Sequence, residues 1–129
     1  MSTNDQPIRL RGIRGATTVE SNNRDEILSA THELLLALIE ANDIRPDDVA
    51  SVFFSTTQDL NAEFPAVAAR DMGWSHAALM CTHEMYVPGS LPMCVRVLMH
   101  VNTARTQDEV RFVYLRGAGA LRPDLSNEG

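Results

Sequence analysis

The chain has 129 residues, 44% of them hydrophobic, and a formal net charge of −6, so it fits one globular domain over residues 1–129. The negative charge opposes the counterion release that drives general nucleic-acid binding, and no segment approaches the ~20 consecutive apolar residues of a membrane span. All 11 basic residues are arginines, which excludes lysine Schiff bases and the P-loop lysine. A domain this small buries only about two-thirds of its unfolded surface, so forming a homo-oligomer would be a natural way to complete a core.

The number and spacing of the cysteines and the composition of the first residues indicate the cellular compartment of the protein. Cys81 and Cys94 are too far apart for a C-x-x-C motif and too few for a disulfide framework or a four-cysteine zinc site. Residues 1–7 lack the basic and apolar regions of a signal peptide and are expected to form a flexible tail. We therefore expect a soluble, cytoplasmic protein with reduced thiols and no membrane partner.

The first predicted element is a strand in residues 8–20, where β-branched residues alternate with others and the glycines leave room for a bulge. Alternation places Arg14 on the same face as Ile8 and Leu10, opposite Arg9. Because this is the more apolar face, Arg14 requires an anionic partner.

A long helix is predicted over residues 24–41. Asn23 and Glu26 resemble a capping box, Asn42 can adopt the left-handed conformation at the C-terminal end, and Pro46 stops any continuation. One stripe at helical spacing should face the core: Ile27, Thr31, Leu34, Leu35, Leu38 and Asn42.

The middle of the chain predicts two strands around a short helix. Residues 49–57 are rich in β-branched and aromatic side chains and predict a second strand. Pro65 suits a first helical position, and Gly73 closes the helix predicted over residues 66–72. A third strand is expected near residues 77–81.

The last third of the chain predicts two more strands. Residues 93–102 alternate between an apolar face and a face that contains Arg96, and residues 110–115 form a final strand. The glycines that follow indicate a mobile tail over residues 117–129. Together these elements predict an α/β (α+β) fold, a mixed β-sheet covered on one face, and the uncovered face would suit an oligomer core.

Familiar catalytic motifs are missing from the sequence, including G-x-S-x-G, H-E-x-x-H and the P-loop. Cys81, Thr82, His83 and Glu84 bring together a thiol, an imidazole and a carboxylate, but neighbouring strand residues point to opposite faces. Only alternate residues can converge, so ordinary packing is favoured over a metal site there.

Arg96 is the strongest candidate for a functional residue. It lies in the middle of a strand otherwise suited to burial, where a cation needs a counter-charge. That partner is either a ligand or an internal carboxylate, Glu84 or Asp71, and Arg14 poses the same alternatives. The residues Tyr114, Phe64 and Arg122 carry weaker signals, because strand aromatics are usually core residues and a tail arginine is usually solvated.

Several segments resemble the AroH class of chorismate mutases, in order and over nearly the whole chain. The first is Arg11-Gly-Ile-Arg-Gly-Ala-Thr-Thr-Val-Glu20, and the others are residues 64–66, 81–85, 94–96, 113–115 and 121–125. The resemblance implies an isomerase that converts chorismate to prephenate by a [3,3] rearrangement in phenylalanine and tyrosine biosynthesis. It also implies a pseudo-α/β-barrel homotrimer with active sites between subunits, and neither cofactor nor metal.

The same resemblance assigns roles to individual residues. Arg96 would face the breaking ether bond, Glu84 would hold the substrate hydroxyl, and Arg14 and Tyr114 would position the substrate carboxylates. Substrate-binding positions carried over from the family are Phe64, Ala66, Arg70, Met80, Cys81, Thr82, His83, Leu121 and Arg122. Phe64, Ala66 and Arg70 would come from the neighbouring subunit, and Leu121 and Arg122 from the tail that closes the cleft.

Two residues depart from the family pattern: Val67 stands in place of a lysine and Met80 in place of a threonine. The rim of the cleft would be less positive, so we expect weaker ground-state binding and a raised KM. The alternative function is a non-catalytic trimer of the same fold that binds a small anionic metabolite. The presence of both Arg96 and Glu84 favours the enzyme, since carboxylate binding alone needs no cation at an ether oxygen.

Overall fold

A computed structural model describes residues 6–121 of the chain, which form a five-stranded sheet. The strands are β1 (Arg9–Thr18), β2 (Val49–Thr56), β3 (Ala78–His83), β4 (Cys94–Thr103) and β5 (Val113–Tyr114), in the spatial order β3-β2-β4-β1-β5. The central strand, β4, runs antiparallel to both β1 and β2, whereas the outer pairs β2–β3 and β1–β5 are parallel. The predicted mixed sheet and the α+β class are confirmed.

Helices cover one face of the sheet. They are α1 (Arg24–Asn42) and α2 (Ala66–Asp71), and short 3-10 helices occupy Pro46–Asp48 and Arg116–Ala120. The core between these helices and the sheet contains fully buried side chains from both layers, among them Ile13, Leu34, Leu38, Phe54, Trp74 and Met99. No helix in residues 6–121 is long and apolar enough to cross a membrane.

The long helix begins where its capping residue predicts. The side chain of Asn23 accepts a hydrogen bond from the Glu26 amide at 2.9 Å, and every residue of the predicted stripe is buried. The left-handed residue at the other end is Asp43 (φ 51°), not Asn42 as predicted. Asn42 stays helical because its buried amide donates to the carbonyls of Leu38 and Arg111 and accepts from the Arg111 amide.

The last strand is shorter than the predicted 110–115. Its only partner in the described sheet is β1, at Gly15 and Ala16, and the Asn42 side chain takes the backbone groups of Arg111 that would otherwise extend the ladder. The third strand is longer than predicted, since Thr82 and His83 also pair with β2.

The only bulge between these paired strands lies in β2, between Val49 and Ser51, rather than at the glycines of β1. Pairing between β1 and β4 is unbroken from Arg9 to Thr18, so the glycines of β1 do not form a bulge. At Gly15 an added Cβ would approach Leu34 and Leu38 of α1 more closely than ordinary van der Waals contact, so the glycine permits close packing of helix on sheet.

A Gly15→Ala variant should lower the free energy of unfolding by about 1–3 kcal/mol, the usual cost of overpacking a core. Its Cβ would lie 3.0 Å from Leu38 Cδ1, 3.1 Å from the Val113 carbonyl oxygen and 3.2 Å from Leu34 Cδ1. Gly12→Ala is the matched control in the same strand, since its Cβ would meet only Leu98 Cδ1, at 3.9 Å. Urea unfolding at one protein concentration measures both variants, and equal losses would rule out the packing explanation.

The second face of the sheet carries no α-helix and is covered at one end, where Ala118 of the 3-10 helix packs with Ala16 and Cys94. The rest of this uncovered face is partly apolar and partly polar. Its exposed side chains include Leu10, Phe53, Met80 and Leu98, which are 54%, 39%, 55% and 38% exposed. Strand register places three of them in one row with Arg14, because Leu98 pairs with Arg14 and Phe53, and Phe53 pairs with Met80. Arg14 therefore lies beside an apolar surface, as predicted from alternation.

The end of the chain packs against the first strand as far as the structure describes it. In the 3-10 helix, the Gly117 amide donates to Thr18 Oγ1 at 3.1 Å and Ala118 is fully buried. Residues 122–129 of the predicted mobile tail, and residues 1–5 of the predicted N-terminal tail, lie outside the described residues. The mobility of both segments stays a prediction.

Candidate active site

A cavity of about 460 Å³ opens on the uncovered face of the sheet. It is lined by Arg14, Gly15, Ala16, Phe53, Ser55, Glu84, Arg96, Val97, Leu98, Tyr114 and Leu121. This volume is within the usual range for small-molecule sites. All four residues predicted to be catalytic, Arg14, Glu84, Arg96 and Tyr114, line this one cavity.

Strand register explains why these side chains meet. Tyr114 of β5 pairs with Ala16 of β1, Ala16 pairs with Arg96 of β4, and Arg96 pairs with Ser55 of β2. Residues directly opposite one another in neighbouring strands share a face of the sheet. Three polar residues of the cavity, Tyr114, Arg96 and Ser55, therefore lie in one row across the sheet, with Ala16 between the first two, and Arg14 stands in the next row.

Glu84 lies immediately after β3 and continues its course, since its amide donates to the Thr56 carbonyl at 2.7 Å. Its carboxylate turns into the cavity, where Oε1 accepts a hydrogen bond from Ser55 Oγ at 2.5 Å. The other oxygen, Oε2, lies 3.7 Å from Arg96 Nε, and both side chains are about one-third exposed. Arg96 thus has the internal carboxylate foreseen as one alternative, while Asp71 is exposed on α2 and forms no ion pair with it.

The pairing with Glu84 does not satisfy Arg96. A distance of 3.7 Å is too long for a hydrogen bond, and the buried Nε of Arg96 has no hydrogen-bond partner among the described residues. The buried hydroxyl of Tyr114, in the same cavity, also lacks one. Unsatisfied buried donors cost about 1–3 kcal/mol each, so these two atoms indicate a site for a polar or anionic ligand.

Arg14 adds a second cation at the cavity. Its guanidinium carbon lies 5.8 Å from the centre of the Phe112 ring, a cation–π contact. Within residues 6–121 no carboxylate forms an ion pair with Arg14. The anionic partner that its position requires is therefore not provided by the described part of this chain.

Most of the other predicted substrate-binding residues lie apart from this cavity. Phe64, Cys81, Thr82 and His83 line a second cavity of about 290 Å³, near the start of α2. Phe64 is 66% exposed there. One chain therefore does not bring these residues together with Arg96.

The remaining predicted positions are distributed between the two faces. Ala66 is buried and Arg70 is exposed, both on α2, while Met80 is on the uncovered face. Leu121 lines the first cavity, and Arg122 lies outside the described residues.

The cysteines are poorly suited to act as nucleophiles. Burial raises the pKa of the Cys94 thiol to about 11, and burial also raises the pKa of Cys81. Both are free in the described structure. Residues 6–121 contain no group of three or more His, Cys, Asp or Glu side chains that could hold a metal ion.

Ser55 is the functional candidate that sequence reasoning missed. It contacts Glu84 directly and lines the same cavity. A serine between phenylalanine and threonine in a strand carries no signal of its own. Only the pairing of Ser55 with Arg96, which follows from register, identifies it.

Fold and site together define a small α+β protein with two arginines, one carboxylate and one phenol around a cleft, the arrangement of a site that binds and polarises an anionic small molecule. The family model for chorismate mutase type I matches residues 10–125. The chain belongs to this family.

Curated relatives and a solved structure agree with this assignment. The chain is 49% identical over 118 residues to the chorismate mutase AroH of Bacillus subtilis (strain 168), covering 91% of this chain and 93% of the relative. It is 50% identical over 119 residues to the AroH of Thermus thermophilus, covering 92% and 98%. The solved structure of a chorismate mutase from Clostridium thermocellum matches with a TM-score of 0.83 and 51% identity, covering 84% of this chain and 97% of that one.

Proposed function

We propose that the cavity around Arg96 is the catalytic half of the active site. The chain is a chorismate mutase, an isomerase that converts chorismate to prephenate in aromatic amino acid biosynthesis. The location of the active site is supported by two buried donors without hydrogen-bond partners, Arg96 Nε and Tyr114 Oη, whose residues line the same cavity. Oxygen atoms of a dicarboxylate ether are the partners that such donors lack.

The reaction explains why these residue types suffice. A [3,3] rearrangement is unimolecular and needs no nucleophile, proton transfer or redox partner, so geometry and charge are the available means of acceleration. A site that holds the flexible enolpyruvyl ether compact brings the bond-forming carbons together before reaction. Arg14 and Tyr114 would perform this positioning on the carboxylates.

The chemical step then depends on the charge that develops at the ether oxygen. As the C–O bond breaks, negative charge grows there, and a preorganised cation binds the transition state more tightly than the substrate. Arg96 would supply that cation. Glu84, held beside it, would accept the hydrogen bond of the substrate hydroxyl.

We further propose that the active protein is a homotrimer whose clefts lie between subunits. Two features support this assembly. The uncovered sheet face exposes a row of large apolar side chains, which association would remove from water. In addition, Phe64 lines a different cavity from Arg96, and the exposed Arg70 does not line the Arg96 cavity, so a neighbouring subunit would have to contribute them. The two free cysteines support a cytoplasmic location as part of the same proposal.

The activity is tested by following chorismate in the presence of the purified protein and a metal chelator. We expect chorismate to be consumed and prephenate to appear in equal amount. The competing function, a trimeric module that binds an anionic metabolite, predicts a thermal shift with a small dicarboxylate and no turnover. A folded protein that stabilises with ligand and leaves chorismate intact would favour the binding module.

Val67 tests how much positive charge the rim of the cleft needs. It lies on α2, between Ala66 and the exposed Arg70. A Val67→Lys variant should lower KM for chorismate about fivefold, roughly 1 kcal/mol of added attraction, and leave kcat nearly unchanged. The effect should shrink at high salt because the charges are solvent-exposed.

Val67→Met is the matched control, since it lengthens the side chain without adding charge. Steady-state kinetics at two salt concentrations compare both variants with the wild type. A change in kcat, or an equal effect of methionine, would contradict the electrostatic explanation.

A further inference from the structure

We propose that Ser55 is a positioning residue that keeps the carboxylate of Glu84 from closing onto Arg96. This proposal rests on the proposed function, because it assigns a purpose to the arrangement around Arg96. Ser55 lies in the same row of the sheet as Arg96, paired with Arg96 on one side and with Thr82 on the other. Its hydroxyl donates to Glu84 Oε1 at 2.5 Å.

Glu84 needs such a restraint because little else holds its side chain. It follows the last residue of β3. The hydrogen bond from its backbone amide to the Thr56 carbonyl fixes the backbone but not the side-chain torsions. Arg96 Nε lies 3.7 Å from Oε2. A free carboxylate and guanidinium at this distance would approach to a charge-assisted hydrogen bond of about 2.7–2.9 Å, and both carboxylate oxygens could take part.

Such a closed ion pair would damage the site in two ways. It would neutralise the arginine that has to face the developing charge of the substrate, and it would occupy the oxygen that has to accept the substrate hydroxyl. By binding Oε1, Ser55 limits the contact between Glu84 and Arg96 to one long distance. The two charges are thereby kept apart before substrate binds, which is the preorganisation that electrostatic catalysis requires.

The same strand offers a matched control. Ser51 lies four residues before Ser55 on the same face of β2 and is paired with His100 of β4, as Ser55 is with Arg96. Its hydroxyl lies 3.1 Å from His100 Nδ1 and does not line the cavity. Comparing variants at Ser51 and Ser55 therefore separates the effect of losing any serine hydroxyl in this strand from the effect of losing the contact with Glu84.

The test compares Ser55→Ala, Ser55→Thr and Ser51→Ala with the wild type. Ser55→Ala should lower kcat about 10- to 100-fold, the range for a hydrogen bond to a charged group. KM should rise by less than about threefold, since most of the loss arises in the transition state. Ser55→Thr keeps the hydroxyl and should restore kcat to within about threefold, and Ser51→Ala should retain wild-type kinetics.

A crystal structure of Ser55→Ala gives a readout that does not depend on activity. The distance between Arg96 and Glu84 should shorten from 3.7 Å in the wild type to below about 3 Å. An unmoved Glu84, unchanged kcat in Ser55→Ala, or equal losses in the alanine and threonine variants would each overturn the proposal. An inactive wild type would instead refute the proposed function. If Ser55→Ala fails to fold, Ser55→Cys, which has similar volume and only a weak donor, carries the same expectations.

Discussion

Replacing Arg96 by alanine should reduce kcat by several hundredfold or more. Removal of one preorganised donor to a developing oxyanion typically costs about 2.7–4 kcal/mol in the chemical step. Arg96 should fall in this class because it lines the cavity and its Nε is buried without a hydrogen-bond partner among the described residues. A ground-state contact would be lost mainly in KM, whereas we expect kcat and kcat/KM to fall together.

Steady-state kinetics with chorismate measure this loss, and two further variants show its origin. Arg45→Ala removes an exposed arginine that does not line the cavity, so kcat should stay at the wild-type value. Arg96→Lys keeps the charge but loses the planar fork, so it should recover only part of the activity. An Arg96→Ala enzyme within tenfold of wild-type kcat would show that charge at the ether oxygen is not stabilised by this residue.

Local patterns in the sequence determined which elements form and which face each side chain occupies. Alternation along the fourth strand separated Arg96 from the buried Val95 and Val97, and helical spacing identified the buried stripe of α1. These properties depend on residues close in the chain. They were therefore predictable without knowledge of the tertiary structure.

Properties that depend on contacts between distant segments were not predictable in this way. The last strand begins later than predicted because Asn42, about 70 positions away, binds the backbone of Arg111. Ser55 joins the site only because register pairs it with Arg96. Alternation gives the face of a residue within its own strand but not the partner across the sheet.

The site residues themselves came from family resemblance rather than from local patterns. From spacing alone, an internal ion pair and a bound ligand were equally good explanations for the position of Arg96. The structure shows an internal carboxylate nearby and also a donor that a ligand could satisfy. Glu84 is near, but at a distance that leaves Nε unsatisfied. Tyr114 has the periodicity of a core aromatic, and only its unpaired hydroxyl distinguishes it.

Two inactive variants should restore each other's activity when their chains are mixed in one assembly. Arg96→Ala removes the proposed catalytic cation, and Arg70→Glu reverses an exposed charge on α2 that would face the substrate from the neighbouring subunit. Each variant alone places its defect in every cleft. In a mixed trimer, some clefts combine the intact half of one variant with the intact half of the other.

The size of the recovery follows from the symmetry of a closed ring. In an equal mixture each half of a cleft is intact with a probability of one-half, so roughly a quarter of the clefts, and of the wild-type activity, should return. The two chains would be unfolded in urea, refolded together and assayed, and light scattering would confirm three chains per particle. Each variant refolded alone is the control and should stay inactive. If both arginines acted on the same substrate from one chain, no mixture would contain an intact site, and an absence of recovery despite subunit exchange would refute clefts between subunits.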